Sequence, residues 1–175
     1  IDTSPDVDNW CMYWGLSSMR TFHSVVPSSI MDFYKEIGQT RDVASRMEPN
    51  LYPLRGLFSV RYYFKQLSDG QINGTEANNP STYMNELEGF RYVATQNGFN
   101  IYENENWIPM GFAYDKYTTD DVIKSAESVD KTNLLLEALV LDNEQIAKYS
   151  DIIERYDNNQ TRDRATYVEA CKEKQ

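Results

Sequence analysis

The chain has 175 residues, which is enough for one domain with its own core and too few for two independent domains. It carries 17 Lys and Arg against 27 Asp and Glu, a net charge of -10. This charge argues against binding to nucleic acid or anionic lipid, because both depend on clustered basic side chains. No apolar run approaches the ~20 residues that span a bilayer. We expect one domain that is a monomer.

The first part of the chain predicts one extended segment and one helix. Residues 10–26 mix aromatic and β-branched side chains with small polar ones, which indicates a strand or an extended packed loop. Residues 30–37 place apolar side chains at helical spacing. Ser28 or Ser29 is the expected helix cap, and Gly38 the expected stop.

A second strand is predicted between two loops. Residues 57–67 are dense in β-forming side chains and fit a largely buried strand. Residues 39–56, with two prolines, predict a loop that includes a helical turn. Residues 68–81 are polar and rich in turn residues, and therefore predict a mobile surface loop.

The middle of the chain predicts a hairpin and a further strand. Residues 90–95 and 100–105 are the two strands of the hairpin, because Asn97-Gly98 between them accommodates the positive φ angles of a tight turn. Residues 110–114, after a proline, predict another short strand.

The remainder of the chain predicts helices over residues 120–125, 134–141 and 144–155. Strands in the middle of the chain, followed by helices, indicate an α+β fold. We expect a central mixed or antiparallel sheet with helices packed on it and a helical C-terminal tail. The expected division is a domain over residues 1–156 and a helical tail over residues 157–175.

The residues that could carry redox or metal chemistry are few. Cys11 and Cys171 lie near opposite ends of the sequence, and either a disulfide between them or two separate thiols is consistent with it. His23 is the only histidine, and no metal-ligand spacing or cofactor-binding motif accompanies it. We therefore predict no metal and no cofactor.

Two sets of residues have alternative interpretations. Glu103 and Glu105 on one strand face could be the carboxyl pair of a glycosidase, or the solvated face of an edge strand. Trp10, Trp14 and Trp107 could be platforms on which sugar rings stack, or ordinary packing residues. Two acids on the same strand face do not oppose each other across a sugar, as a glycosidase requires. This favours a chain without catalytic residues of its own.

The order of several short motifs resembles that of the large extracytoplasmic domain of YfhO-type bacterial membrane proteins, which are multi-pass relatives of the GT-C glycosyltransferases. The resemblance covers roughly residues 9–153. Its motifs are Tyr13-Trp14-Gly15, Thr21-Phe22-His23-Ser24 with residues 31–38, Ser59-Val60-Arg61-Tyr62, residues 99–106, residues 109–114 and residues 134–141.

The resemblance implies a strand, a proline break and a second strand in residues 102–117. Two positions depart from the family pattern. Ser59 stands where a glycine often precedes the strand, which affects a tight backbone approach. Trp107-Ile108 stand where Ala-Leu-like residues usually precede the proline, which places an indole ring near the surface.

The resemblance also implies a function for the parent protein. Such a parent would transfer sugar from a lipid-phosphate carrier to a cell-envelope polymer such as teichoic acid, at the extracytoplasmic face of the plasma membrane. The chain itself would be an accessory domain without activity that positions the acceptor or a partner. Its expected partners are the membrane-embedded part of the parent, a cell-wall glycan and a lipid-linked sugar. A stand-alone carbohydrate-binding module and a glycosidase are the alternatives.

The motifs that carry the resemblance also supply the candidate ligand-binding residues. Sugars present apolar faces edged by hydroxyls, so rings and hydrogen-bonding groups are expected in the site. The candidates are Arg20, His23, Arg61, Tyr102, Asn104 and Trp107.

Overall fold

A computed structural model describes residues 1–4, 8–41, 43–72, 79–156 and 162–175. The helices in these residues are α1 (Trp10–Tyr13), α2 (Ser28–Glu36), α3 (Pro53–Leu57), α4 (Asp69–Ile72), α5 (Asp120–Ser125), α6 (Ser128–Glu137), α7 (Asn143–Tyr149) and α8 (Arg164–Glu173). The strands are β1 (Asp2–Thr3), β2 (Thr21–Phe22), β3 (Ala44–Ser45), β4 (Tyr62–Gln66), β5 (Phe90–Gln96), β6 (Phe99–Asn104), β7 (Lys116–Thr119), β8 (Leu139–Leu141) and β9 (Glu154–Arg155). The predicted α+β class is confirmed.

The described strands form one mixed sheet and two smaller sheets. The mixed sheet has the order β1-β4-β6-β5, with β1 parallel to β4 and the other pairs antiparallel. Strands β2 and β3 pair antiparallel, and β8-β7-β9 is a parallel sheet. Because α5 and α6 connect the parallel strands β7 and β8, this part is a βαβ unit. Within the described ranges, every helix is too short or too polar to cross a bilayer.

Local sequence signals predicted the hairpin and the first long helix. Strands β5 and β6 flank Asn97 and Gly98, whose φ angles of 51° and 79° are those of a tight hairpin turn. Helix α2 confirms the predicted helix, and Gly38 after it has a φ of 73°. The predicted serine cap is wrong, because the helix already begins at Ser28 and Pro27 occupies the cap position.

Two predictions in the first part of the chain need correction. Residues 10–26 are neither a strand nor a uniformly extended segment, since they contain α1 and only the two-residue strand β2. Only part of the segment 57–67 is a strand, since α3 runs through Leu57 and β4 begins at Tyr62. Of β4, only Tyr63 is buried, and the other side chains are half-buried or exposed.

The predicted loops contain short regular elements. Residues 39–56 include β3 and the start of α3, which is the helical turn expected there. In the segment 68–81, residues 69–72 form α4, while residues 73–78 lie outside the described part of the chain.

The second half differs from prediction where distant segments pair. Residues 110–114 are not a strand; the strand follows at β7. The helix predicted over 134–141 ends at Glu137, because Leu139–Leu141 pairs with β7 as β8. Likewise, the segment 144–155 divides into α7 and β9. Helix α5 confirms the prediction for residues 120–125.

Helix α6 lies at the centre of the packing. It contacts α3 and α8, and its Leu134 and Leu136 are fully buried. Helix α8 approaches α3 closely at Gly56, where a Cβ atom would lie 3.1 Å from the Sγ atom of Cys171. A Cβ atom at position 56 would therefore require the side chains of Cys171 and Tyr167 to shift by a few tenths of an ångström. The division of the chain at residue 156 stays a prediction, and residues 157–161 lie outside the described part.

The two cysteines are separate thiols. Cys11 and Cys171 are both free and both buried, which excludes a disulfide between them and confirms the second alternative. Burial raises the pKa of the Cys171 thiol to about 11. Cys171 is therefore a packing residue and not a reactive nucleophile near neutral pH.

The backbone conformation at Ser59 explains why the family often has a glycine at this position. It follows α3 with a φ of 54°, a left-handed conformation that side chains with a Cβ atom disfavour. We predict that Ser59→Gly stabilises the domain by up to about 1 kcal/mol, measured as a higher melting temperature. Asn97→Gly should give a smaller gain, because asparagine tolerates this conformation better. A lower melting temperature for Ser59→Gly would contradict the strain argument.

Candidate functional site

A cleft of 410 Å³ opens where strand β6 ends. We call it the sheet-end cleft. It contains two of the candidate residues, Asn104 and Trp107, and both carboxylates that the sequence singled out. The residues that line it are Glu103, Asn104, Glu105, Trp107, Pro109 and Gln175.

Asn104 builds the floor of this cleft from its buried position at the end of β6. Its Nδ2 atom donates a hydrogen bond of 2.9 Å to the carbonyl oxygen of Val60. Its Oδ1 atom accepts one of 3.0 Å from the backbone N–H of Asn106. These bonds fix the turn that follows the strand, so Asn104 positions the neighbouring residues that line the cleft.

The turn after Asn104 presents Trp107 beside Arg61. The guanidinium carbon of Arg61 lies 4.7 Å from the centre of the indole ring, within the range of a cation–π contact. The Nε atom of Arg61 also donates to Glu103 at 3.0 Å. Ile108, the next residue, is fully buried and anchors the segment before the proline. The indole is therefore held at the half-buried edge of the cleft.

A β-bulge adds Arg91 to the site. A regular hairpin with the turn at Asn97-Gly98 would place Tyr92 opposite Glu103, but the register shifts between Tyr92 and Ala94 and pairs Arg91 with Glu103. Arg91 then lies 3.7 Å from Glu103 and 3.3 Å from Glu105. The sequence contains no signal for the bulge, so this residue was missed.

Gln175 completes the cleft from another direction. The Nε2 atom of Gln175, which follows α8, donates to the carbonyl oxygens of Trp107 at 2.9 Å and Glu105 at 3.3 Å. Sequence reasoning could not place this residue, because its contact depends on how α8 packs. Nearby on α8, burial raises the pKa of the Tyr167 phenol, and Asn104 hydrogen-bonds to it.

The other three candidates lie elsewhere. Arg20 is buried beside Asp2, with its Nε atom 3.6 Å from that carboxylate. Tyr102 is buried on the opposite face of β6 from Glu103, where its ring contacts Tyr92. His23 lines a separate, largely apolar cavity of 480 Å³. The structure thus brings Arg61, Asn104 and Trp107 together and leaves the remaining candidates apart.

The cleft presents paired charges, an amide and an indole to a ligand. Glu103 and Glu105 share the guanidinium of Arg91, and Glu103 also binds Arg61. Carboxylates, an amide and an indole around a small open cavity suit a ligand with hydroxyl groups and an apolar face. Among the described residues, no cluster of His, Cys, Asp and Glu has an arrangement that could hold a metal ion.

These features define a small acidic α+β domain with a polar and aromatic cleft at the end of a mixed sheet. The family model of the bacterial membrane protein YfhO matches residues 1–175. The chain therefore belongs to the YfhO family of bacterial membrane proteins, as its short motifs predicted. It has no match among curated proteins or solved structures.

Proposed function

We propose that the chain is the extracytoplasmic accessory domain of a membrane-embedded glycosyltransferase. The parent would transfer sugar from a lipid-phosphate carrier to a cell-envelope polymer such as teichoic acid. The domain holds the acceptor near the membrane-embedded part, and the sheet-end cleft is where it contacts the sugar. Family membership supports a parent that is a bacterial membrane protein.

The observation that carries the proposal is the grouping of Trp107, Arg61 and Glu103 at one cleft. An indole supplies the flat apolar surface that a pyranose ring covers, while guanidinium and carboxylate groups hydrogen-bond to the hydroxyls at its edge. The two charges neutralise each other, so the cleft can accept an uncharged ligand while this ion pair stays in place.

A glycosidase fits the cleft less well. Glycoside cleavage uses one carboxyl that gives a proton to the leaving oxygen and a second that faces it across the sugar. Glu103 and Glu105 instead approach the same guanidinium, that of Arg91. This arrangement ties both carboxylates to one side of the cleft and supports a binding role.

We predict that Trp107→Ala lowers the affinity for a neutral envelope glycan about tenfold or more, because an indole at the centre of a contact commonly contributes over 1.4 kcal/mol. Calorimetric titration of the chain with a panel of neutral hexose and N-acetylhexosamine oligosaccharides measures the effect. The matched variant Trp107→Phe retains a ring and should keep most of the affinity.

Thermal unfolding of both variants shows whether the fold is intact. Incubation of the unmodified chain and of Glu103→Gln with the same oligosaccharides shows whether the chain cleaves them. If no glycan in the panel binds the unmodified chain, or if Trp107→Ala binds as tightly, then the cleft is not the contact for an acceptor. Turnover that disappears in Glu103→Gln would instead favour the glycosidase.

A further inference from the structure

A cavity of 420 Å³ lies on the opposite face of the mixed sheet from the sheet-end cleft. We call it the arginine cavity. Lys65 of β4 lines it and, three residues along the strand from Tyr62, points to the other side of the sheet. Tyr62 lies beside Glu103 of the sheet-end cleft. The charged residues that line the arginine cavity are Arg20, Arg46, Arg55, Lys65, Glu48 and Glu86.

The three arginines of the cavity share two carboxylates. Arg55 donates two hydrogen bonds to the Oδ2 atom of Asp2, at 3.0 Å and 3.2 Å. Arg46 donates from its Nε and Nη2 atoms to the Oδ2 atom of Asp8. The guanidinium of Arg20 only approaches the two carboxylates, at 3.6 Å from Asp2 and 3.9 Å from Asp8. Three guanidinium groups against two carboxylates leave this cluster with one excess positive charge.

Arg20 is the member of the cluster whose hydrogen-bonding capacity is not met. The residue is only 7% exposed, and its Nε atom has no hydrogen-bond partner among the residues that the structure describes. A buried charged donor without an acceptor is unfavourable, because the water that solvated it is removed and nothing replaces it. An anion in the cavity would supply both the missing acceptor and the missing charge.

The remaining charged side chains of the cavity are exposed to solvent. Lys65 pairs with Glu86 at 2.7 Å, and the two side chains are 41% and 53% exposed. The side chain of Arg46 is 52% exposed. Exposed ion pairs contribute little to stability, so Lys65 can turn towards a ligand at small cost. Glu48 is also exposed, and its backbone carbonyl accepts from Arg55 at 3.3 Å. Its carboxylate is therefore screened by water.

We propose that the arginine cavity binds one phosphodiester group, and that this group belongs to a polyol phosphate chain. A phosphodiester carries one negative charge, which equals the excess charge of the guanidinium cluster. Its unesterified oxygens accept the charge-assisted hydrogen bonds that guanidinium groups donate well. The site goes beyond the proposed function, because it shares no residue with the sheet-end cleft. Its assignment to a polyol phosphate rests on the proposed function, whose acceptor polymer belongs to this class.

Calorimetric titration at constant ionic strength tests the site with inorganic phosphate, a short oligo(glycerol phosphate) and acetate. We expect the two phosphate probes to compete for one site. Acetate should bind about tenfold more weakly, because its two oxygens satisfy fewer donors than a tetrahedral phosphate. Arg20→Gln should weaken the binding of both phosphate probes about tenfold or more.

A second pair of variants avoids the buried arginine. Lys65→Gln removes an exposed cation of the cavity and should lower the affinity for phosphate about threefold or more. Lys124→Gln is its matched control, because Lys124 also pairs with a carboxylate, that of Asp120, and is 59% exposed. Lys124 does not line the cavity, so its substitution should leave the affinity unchanged.

A further measurement uses the unmodified chain alone. Inorganic phosphate should shift the side-chain Nε–H resonance of Arg20 and the backbone amide resonances of Arg46 and Lys65. The amide resonances of Glu105 and Trp107, in the sheet-end cleft, should stay in place. If Arg20 instead moves to pair fully with Asp8, phosphate produces none of these shifts and the proposed site is wrong.

The outcomes separate this site from the proposed function. Failure of every phosphate probe to bind, or equal effects of Lys65→Gln and Lys124→Gln, would overturn the phosphate site. A neutral glycan that still binds through Trp107 would then leave the proposed function standing. Binding of polyprenyl phosphate in phosphatidylcholine vesicles, without binding of oligo(glycerol phosphate), would support the site and overturn its assignment to the polymer. Phosphate binding without any glycan binding would support the site and reject the role of the sheet-end cleft.

Discussion

Replacing Arg55 with alanine should destabilise the domain by about 3–5 kcal/mol, the usual effect of leaving one charge of a buried ion pair without its partner. Arg55 is only 2% exposed, and its Nη2 and Nε atoms donate to the carboxylate of Asp2 at 3.0 Å and 3.2 Å. Arg20, 3.6 Å from the same carboxylate, cannot replace the two hydrogen bonds without moving. The substitution would also empty the volume of a large side chain.

Equilibrium unfolding in urea measures this effect, and Arg61→Ala is its matched control. Arg61 also binds a carboxylate, that of Glu103, but its side chain is 48% exposed. An exposed pair of this kind contributes about 0–1 kcal/mol. If Arg55→Ala and Arg61→Ala shift the midpoint equally, the pair at Asp2 is not a central stabilising contact.

The elements that the sequence predicted well are those with local signals. The hairpin depends on Asn97 and Gly98 within the turn itself, and helix α2 depends on apolar spacing and on Gly38 directly after it. Both sets of interactions form between residues that are close in the chain. Their prediction therefore does not require knowledge of the remaining fold.

Elements that depend on distant partners were predicted poorly. Leu139–Leu141 follows a helix without a break in its apolar pattern, and it becomes a strand only because Tyr117 and its neighbours offer a parallel partner. The short strand β1 likewise exists through pairing with β4, some sixty residues away in the chain. Neither pairing leaves a signal in the local sequence.

The same distinction applies to the candidate site. Arg61 and Trp107 belong to short motifs that are visible in the sequence. In the structure, the guanidinium carbon of Arg61 lies 4.7 Å from the centre of the Trp107 ring. Arg91 enters through the bulge between Tyr92 and Ala94, and Gln175 enters through the packing of α8. Arg20 directly precedes a motif of the resemblance, but it lies in the buried ion-pair cluster at Asp2 and not at the sheet-end cleft.

Leu136→Ala should destabilise the domain by about 2–5 kcal/mol, because it removes a branched side chain from a fully enclosed position. Leu136 is 0% exposed and packs with Ile108 of the segment leading out of the cleft and with Tyr167 and Cys171 of α8. Thermal unfolding should show a loss of several degrees, at roughly 2–4 °C per kcal/mol for a chain of this size. The loss would also loosen the support beneath Trp107.

Leu139→Ala is the matched control, since it deletes the same atoms from a residue of β8 that is 41% exposed. Its effect should be clearly smaller, because little buried volume is emptied. The comparison tests the boundary between α6 and β8: if residues 134–141 formed one buried helix, both leucines would be core positions. Equal destabilisation by the two variants would therefore contradict the strand at Leu139–Leu141. A much larger effect of Leu136→Ala supports this strand and the role of Leu136 in packing α8 against the segment beside the cleft.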